Sequence, residues 1–143
     1  MPKTAKKVTE KTLIGVDYGK TNTGVALGRN NLTFPLKVIS KRSDQTVIIE
    51  ISRLATENKA TTIVVGLPLG AKGKETEQSK KVRKFAKLLR ILTKKKVVFQ
   101  NEFGSTREAD EENRIFKLIK KKKRLTDHLA AALILKQYQE ENL

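Results

Sequence analysis

Three carboxylates stand where the texture of the sequence changes. Asp17 closes the apolar run Leu13-Ile14-Gly15-Val16, Glu102 follows Val97-Val98-Phe99-Gln100-Asn101, and Asp127 opens a long apolar stretch that reaches Leu135. Read singly, each has an ordinary role: a turn former after a strand, a solvated acid, a helix N-cap. Read together, they are acids at element ends that can meet in space. Converging carboxylates repel one another where water is scarce, and a cation relieves that repulsion. Hard oxygen ligands select Mg²⁺ or Mn²⁺. Such an ion activates water and steadies the leaving oxygen of a phosphodiester.

Other chemistries are narrowed by composition. The chain has no cysteine, which removes disulfides, thiolate nucleophiles and Cys-based zinc sites and fits a reducing cytoplasm. His128 is the only histidine, so a multi-histidine metal centre is excluded. Beside Asp127 it reads as a residue supporting a ligand or capping a helix, more than as a general base.

The acids need a scaffold that brings them to one place. Leu13 to Asp17 is β-branched and alternates so that Leu13, Gly15 and Asp17 share a face. Gly24 to Gly28 resumes an extended pattern after a turn, and Phe34 to Ile39 predicts a third strand with Pro35 at its start or on an edge. Between Ser43 and Asn58 the period lengthens, with Val47, Ile51, Leu54 and Ala55 on one helical face. Thr61 to Val65 predicts a buried central strand. A Gly- and Lys-rich loop, Leu69 to Lys74, leads to a helix with Val82, Phe85, Ala86, Leu89 and Leu92 in its apolar stripe, closed by Lys94-Lys95-Lys96. After the strand Val97 to Gln100, Ser105 and Glu108 have capping-box spacing for a helix carrying Ile115, Leu118 and Ile119. The final helix begins near Thr126 and Asp127, with Leu129, Ala130, Leu133, Ile134 and Gln137 expected against the sheet. Three strands in succession can form an antiparallel meander, and each later strand, following a helix, can join in parallel. The expected fold is an α/β domain with a mixed five-stranded sheet and helices on both faces. Parallel first and last strands would deliver Asp17 and Glu102 to the same carboxyl edge.

The length, 143 residues, suits one domain. Residues 12–143 read as that domain, and residues 1–11 as a flexible basic arm. Lys and Arg number 31 against 15 Asp and Glu, a formal net charge of +16 that attracts polyanions. Nucleic acid is favoured over a membrane surface, because the chain lacks tryptophan for an interfacial helix and has no apolar run of the ~18 residues that a span needs. Separate basic groups occur at Lys20, at Lys72 with Lys74, at Lys80-Lys81, at Lys94 to Lys96, and at Lys120, Lys121, Lys122, Lys123 and Arg124. Each reads either as part of a phosphate track or as a solvated charge run. Aromatics are scarce, so base stacking is not expected to dominate. Monomer and homodimer are both compatible with the sequence.

Blocks along the chain resemble one family. Gly15-Val16-Asp17-Tyr18-Gly19 with Gly24-Val25-Ala26 is similar to the opening of the YqgF family of RNase H-like proteins, which is associated with Holliday junction resolution and pre-16S rRNA processing. Val64-Val65-Gly66-Leu67-Pro68-Leu69 with Gly73, followed by Val82 to Ala86, resembles its middle block, and Asp127 to Leu135 its closing block. The likeness runs in order from about Leu13 to Tyr138. It implies an RNase H-like nuclease domain with Asp17, Glu102 and Asp127 as metal-binding catalytic acids, Mg²⁺ or Mn²⁺ as cofactor, and precursor 16S rRNA as substrate. A resolvase-like DNA nuclease and a catalytically weak nucleic-acid-binding relative are the alternatives. Two departures bear on the last: Asn22 and Phe103 stand where arginines, natural phosphate contacts, are common in the family. Asp17 to Gly24 also resembles the first phosphate loop of the actin and Hsp70 ATPases, but those close two such domains over a nucleotide. Gly70 to Lys74 lacks the Ser or Thr that a P-loop needs, since Glu75 follows Lys74.

Overall fold

The computed structural model describes residues 11–40, 43–102 and 127–142, and of Asp127 and His128 the backbone alone. β1 (Leu13–Asp17) is buried at all five positions, as expected of a strand covered on both faces. It pairs antiparallel with β2 (Asn22–Arg29), which pairs antiparallel with β3 (Leu32–Ser40). On its other side β1 pairs parallel with β4 (Thr62–Leu67), and β4 pairs parallel with β5 (Lys96–Asn101). The order β3-β2-β1-β4-β5 is the expected meander joined to two crossover strands. Pro35 lies in β3, at the end of that order, where its missing N–H costs no ladder bond on the open side, and the β2–β3 register slips beside it between Val25 and Ala26.

Two of the described helices cover one face. α1 (Asp44–Glu57) is capped by the Ser43 hydroxyl, which accepts from the Thr46 N–H at 3.1 Å. α2 (Glu77–Thr93) begins with a reciprocal capping box between Thr76 and Ser79. Between these helices and the sheet lie Ile14, Val16, Ile63 and Val65 from the strands, Val47 and Ile51 from α1, and Phe85 and Leu89 from α2. Leu92, expected in that stripe, is half exposed. At 100° per residue it lies roughly 70° from the stripe's centre, and Thr93 takes the aligned position, its hydroxyl donating to the Leu89 carbonyl at 2.7 Å. Lys94 belongs to the helix end, a left-handed C-cap at φ 59°, while Lys96 already starts β5.

The opposite face carries α3 (Asp127–Asn142). Here the expected contact face is corrected. Ala130, Ala131, Ile134, Leu135 and Gln139 are buried, whereas Leu129 is 45% exposed and Leu133 and Gln137 are only partly covered. The helix is turned by roughly 100° from the expected face. The cause lies in the sheet. Gly15, Gly28 and Gly66 present no side chains to α3, so the helix comes close and faces its small residues inward. A Cβ at Gly15 would collide with the Leu135 side chain and stand 3.0 Å from the Ala131 carbonyl oxygen, a backbone atom that cannot easily yield.

Gly15→Ala should therefore destabilise the fold by about 1–3 kcal/mol through overpacking, read as a lower urea midpoint with an unchanged slope. A wild-type midpoint would mean that α3 does not sit against β1.

Candidate active site

Alternation along β1 sends Ile14 and Val16 to the α1–α2 face and Leu13, Gly15 and Asp17 to the α3 face. Asp17 follows the Val16–Val65 pair, so it stands level with Gly66 on β4. Gly66 is in turn paired with Gln100 on β5. Glu102 comes immediately after β5, and its N–H donates to the Leu67 carbonyl at 3.1 Å, which extends the ladder by one bond. One carboxylate oxygen of Glu102 lies 2.7 Å from the point a Gly66 Cβ would occupy. The Glu102 carboxylate is thus folded over a glycine whose strand neighbour ends in Asp17. Adjacent strands are about 4.8 Å apart, so both acids belong to one small area at the carboxyl edge. They are 4% and 7% exposed.

Asp127 is the first residue of α3. Four-residue steps place it in one row with Ala131, Leu135 and Gln139. Gln139 lies beside Gly28, Leu135 beside Gly28 and Gly15, and the Ala131 carbonyl beside Gly15. Because Gly28 pairs with Leu13 at the start of β1, this row runs against β1, and one more turn carries it toward the Asp17 end. The backbone of residue 127 therefore approaches the edge that holds the other two acids. Among the described side chains no third His, Cys, Asp or Glu joins Asp17 and Glu102.

Two buried carboxylates at one sheet edge offer a hard, all-oxygen donor set. The absent side chain at Gly66 leaves that set its room. The pair suits a divalent cation of the Mg²⁺ or Mn²⁺ type, which takes one or two protein carboxylates and keeps several waters.

Neighbouring residues hold the edge in shape. Tyr18, directly after Asp17, donates its hydroxyl to Asp44 at 2.7 Å and stacks on Phe85 with ring centroids 4.1 Å apart. Neither Tyr18 nor Gly66 stands out in the sequence as part of the site, except as members of the Gly-Val-Asp-Tyr-Gly and Val-Gly-Leu-Pro blocks. The loop after β4 closes on itself through Gly70 N–H to the Lys74 carbonyl at 2.7 Å, with a single 3₁₀ turn at Ala71–Gly73. Glu75 anchors the loop to α2. The Arg83 guanidinium, with help from the Ser79 hydroxyl, holds its carboxyl down to about 2. Lys72 and Lys74 ride exposed on this loop, and Lys20 is exposed in the turn between β1 and β2, so all three lie on the carboxyl-edge side. Asn22 begins β2 opposite Ser40, half-buried. Lys120 to Arg124, Phe103 and the expected helix after Ser105 lie outside the described residues.

A family model described as RuvX, Holliday junction resolvase, matches residues 11–141. The chain belongs to the RuvX (YqgF) family. It is 32% identical over 125 residues to a protein of Rickettsia bellii (strain OSU 85-389) named "Putative pre-16S rRNA nuclease", covering 86% of this chain and 81% of that one. A Francisella tularensis subsp. mediasiatica protein of the same name is 32% identical over 134 residues, covering 92% and 98%. Among solved structures, Thermus thermophilus RuvC in complex with a Holliday junction substrate superposes with a TM-score of 0.57 at 11% identity, over 92% of this chain and 96% of RuvC. The fowlpox virus Holliday junction resolvase gives 0.52 at 17%, over 92% and 99%. These likenesses establish the RNase H-like fold. The RuvX family is one of nucleases, and its expected mixed sheet is the one found here.

Gly66→Ala tests the arrangement of the acids. The new methyl would meet both Ile134 and the Glu102 carboxylate. Stability should fall by about 1–3 kcal/mol, and nuclease activity at a temperature where the variant remains folded should fall by roughly tenfold or more as Glu102 is displaced. Full activity in a folded variant would show that Glu102 does not need its place over Gly66.

Proposed function

We propose that this chain is a divalent-metal-dependent endonuclease of structured nucleic acid whose substrate is precursor 16S rRNA, with Asp17, Glu102 and Asp127 as its metal-binding catalytic acids. The observation that supports the reading is the burial of Asp17 and Glu102, both at the carboxyl edge of the sheet, in a chain of net charge +16. A module that only gripped phosphates would gain nothing from two acids at the edge where the ligand docks, since they repel it. A nuclease needs them.

Mg²⁺ or Mn²⁺ held there would activate water and stabilise the leaving oxygen of a phosphodiester. The chain's own residues do the rest. Asp17 and Glu102, fixed by the ends of β1 and β5, orient the donor set, and Asp127 completes it from the start of α3. The Tyr18–Asp44 bond and the Tyr18–Phe85 stack keep the turn after Asp17 from drifting. Lys20, Lys72 and Lys74 offset phosphate charge on the approach, and Lys120 to Arg124 extend that role along the substrate. Precursor rRNA is preferred to branched DNA because relatives matched over most of the chain carry the rRNA name. Residues 12–143 act as one nuclease domain with a basic arm at residues 1–11, working in the cytoplasm where precursor rRNA is found. No described helix is long and apolar enough to cross a membrane.

Cleavage of precursor 16S rRNA and of four-way DNA junctions, each with Mg²⁺, Mn²⁺ or EDTA, decides between substrates. RNA cleavage that EDTA abolishes is expected. Losing a residue that only supports a metal ligand costs roughly 10–100-fold, so Asp17→Asn or Glu102→Gln should cost on the order of a hundredfold or more, while binding persists or tightens. Cleavage that survives EDTA, or that Glu102→Gln leaves intact, would overturn the metal-site reading. Binding without cleavage of any substrate would favour the catalytically weak relative.

A further inference from the structure

A second feature lies on the other side of β5, away from the acids. Arg83, Lys87 and Arg90 occupy one side of α2 at four- and three-residue spacing, and with Ala86, Val97 and Phe99 they line an open groove of about 250 Å³. The floor is apolar and the wall is cationic. Arg83 is already paired with Glu75, by Nε at 3.0 Å and Nη2 at 2.7 Å, and lies over the Phe99 ring with its guanidinium carbon 5.3 Å from the centroid. Lys87 and Arg90 are exposed and make no ion pair among the described residues. Their charges face the groove uncompensated.

Position relates the groove to the acid edge. Phe99 pairs with Val65, one residue before Gly66, and Val97 pairs with Ile63 two residues further back. From Arg83 to Arg90 the row spans roughly 10 Å along the helix. Among the described residues β5 ends the strand order, so a chain leaving the acids can pass around that strand toward Phe99.

We propose that the α2–β5 groove is a docking site for a single-stranded nucleic-acid segment flanking the cleavage point, with Lys87 and Arg90 on phosphates and a base laid on the Arg83 guanidinium that covers Phe99. This deepens the nucleic-acid reading above and rests on it. Cationic walls beside an aromatic floor are the chemistry by which proteins hold unpaired strands irrespective of sequence. Complementary charge selects this occupant: a net +16 chain with two uncompensated cations around a small apolar floor fits a strand of phosphates.

The test is binding in EDTA, where no cleavage interferes, of a blunt RNA duplex and of the same duplex with a single-stranded extension of about ten nucleotides. One stacked base is worth about 1–3 kcal/mol, so the extension should tighten binding to the wild-type protein on the order of tenfold. In Lys87→Glu/Arg90→Glu the ratio between the two ligands should fall to near one. The salt slope for the extended ligand should drop by about 1.4, two contacts at about 0.7 each on a single strand. Lys87→Gln/Arg90→Gln, a milder change, should lose most of the gain if the charge reversal does not fold. No gain from the extension in the wild type, or a gain that survives in both folded double variants, overturns the proposal. A protein that shows the gain yet cleaves nothing leaves the groove standing and removes the enzymatic reading.

Discussion

Gly15, Gly28 and Gly66 strip side chains from the sheet where α3 crosses it, and the close approach this allows sets the geometry of everything at the acid edge. With no Cβ at Gly66, the Glu102 carboxylate can fold over β4, and Ile134 packs on the same glycine from above. With no Cβ at Gly15, the Ala131 turn lies against β1, which directs the start of α3 toward Asp17. One packing contact therefore positions a helix and makes room for a carboxylate. Larger residues would push the helix outward and disperse the acids.

Electrostatics divides the molecule in a way that serves a polyanionic substrate. The surface is overwhelmingly basic, and several exposed acids are already matched to cations. Glu50 is held down to about 2 by the Arg53 guanidinium and the Lys37 ammonium, and Glu75 likewise by Arg83. Such exposed pairs contribute little to stability. Their effect here is to leave little unneutralised negative charge on those surfaces. Asp17 and Glu102 differ in being buried, both at the carboxyl edge of the sheet.

Much of this was legible in the sequence because strand ends are written in residue types. The β-branched runs Leu13 to Val16 and Val97 to Phe99 are unmistakable, and acids following them must emerge at strand ends. Crossover connections then require the two ends to share an edge. The inner face of α3 was not legible. Apolar residues surround that helix, so Ala130 and Ile134 fall on the inner face as expected while Leu129 and Leu133 give way to Ala131 and Leu135 over the bare glycines of the sheet. Leu92 was misplaced for a related reason, since a polar Thr93 satisfied by the Leu89 carbonyl can hold the position that hydrophobicity alone assigns to leucine. Gly66 looked like the end of a strand. Its importance lies in what is missing from it, and that becomes visible only when Ile134 and Glu102, distant in sequence, arrive beside it.

The central claim is that Asp17 and Glu102, with Asp127, bind a divalent ion. The most direct measurement is anomalous diffraction at the manganese edge from crystals of the protein grown with Mn²⁺. The account predicts a peak about 2.0–2.3 Å from carboxylate oxygens of both Asp17 and Glu102, the range for hard-cation oxygen ligands, with an Asp127 oxygen on the ion or on one of its waters. Manganese bound elsewhere while this edge stays without a peak at saturating Mn²⁺ would contradict it.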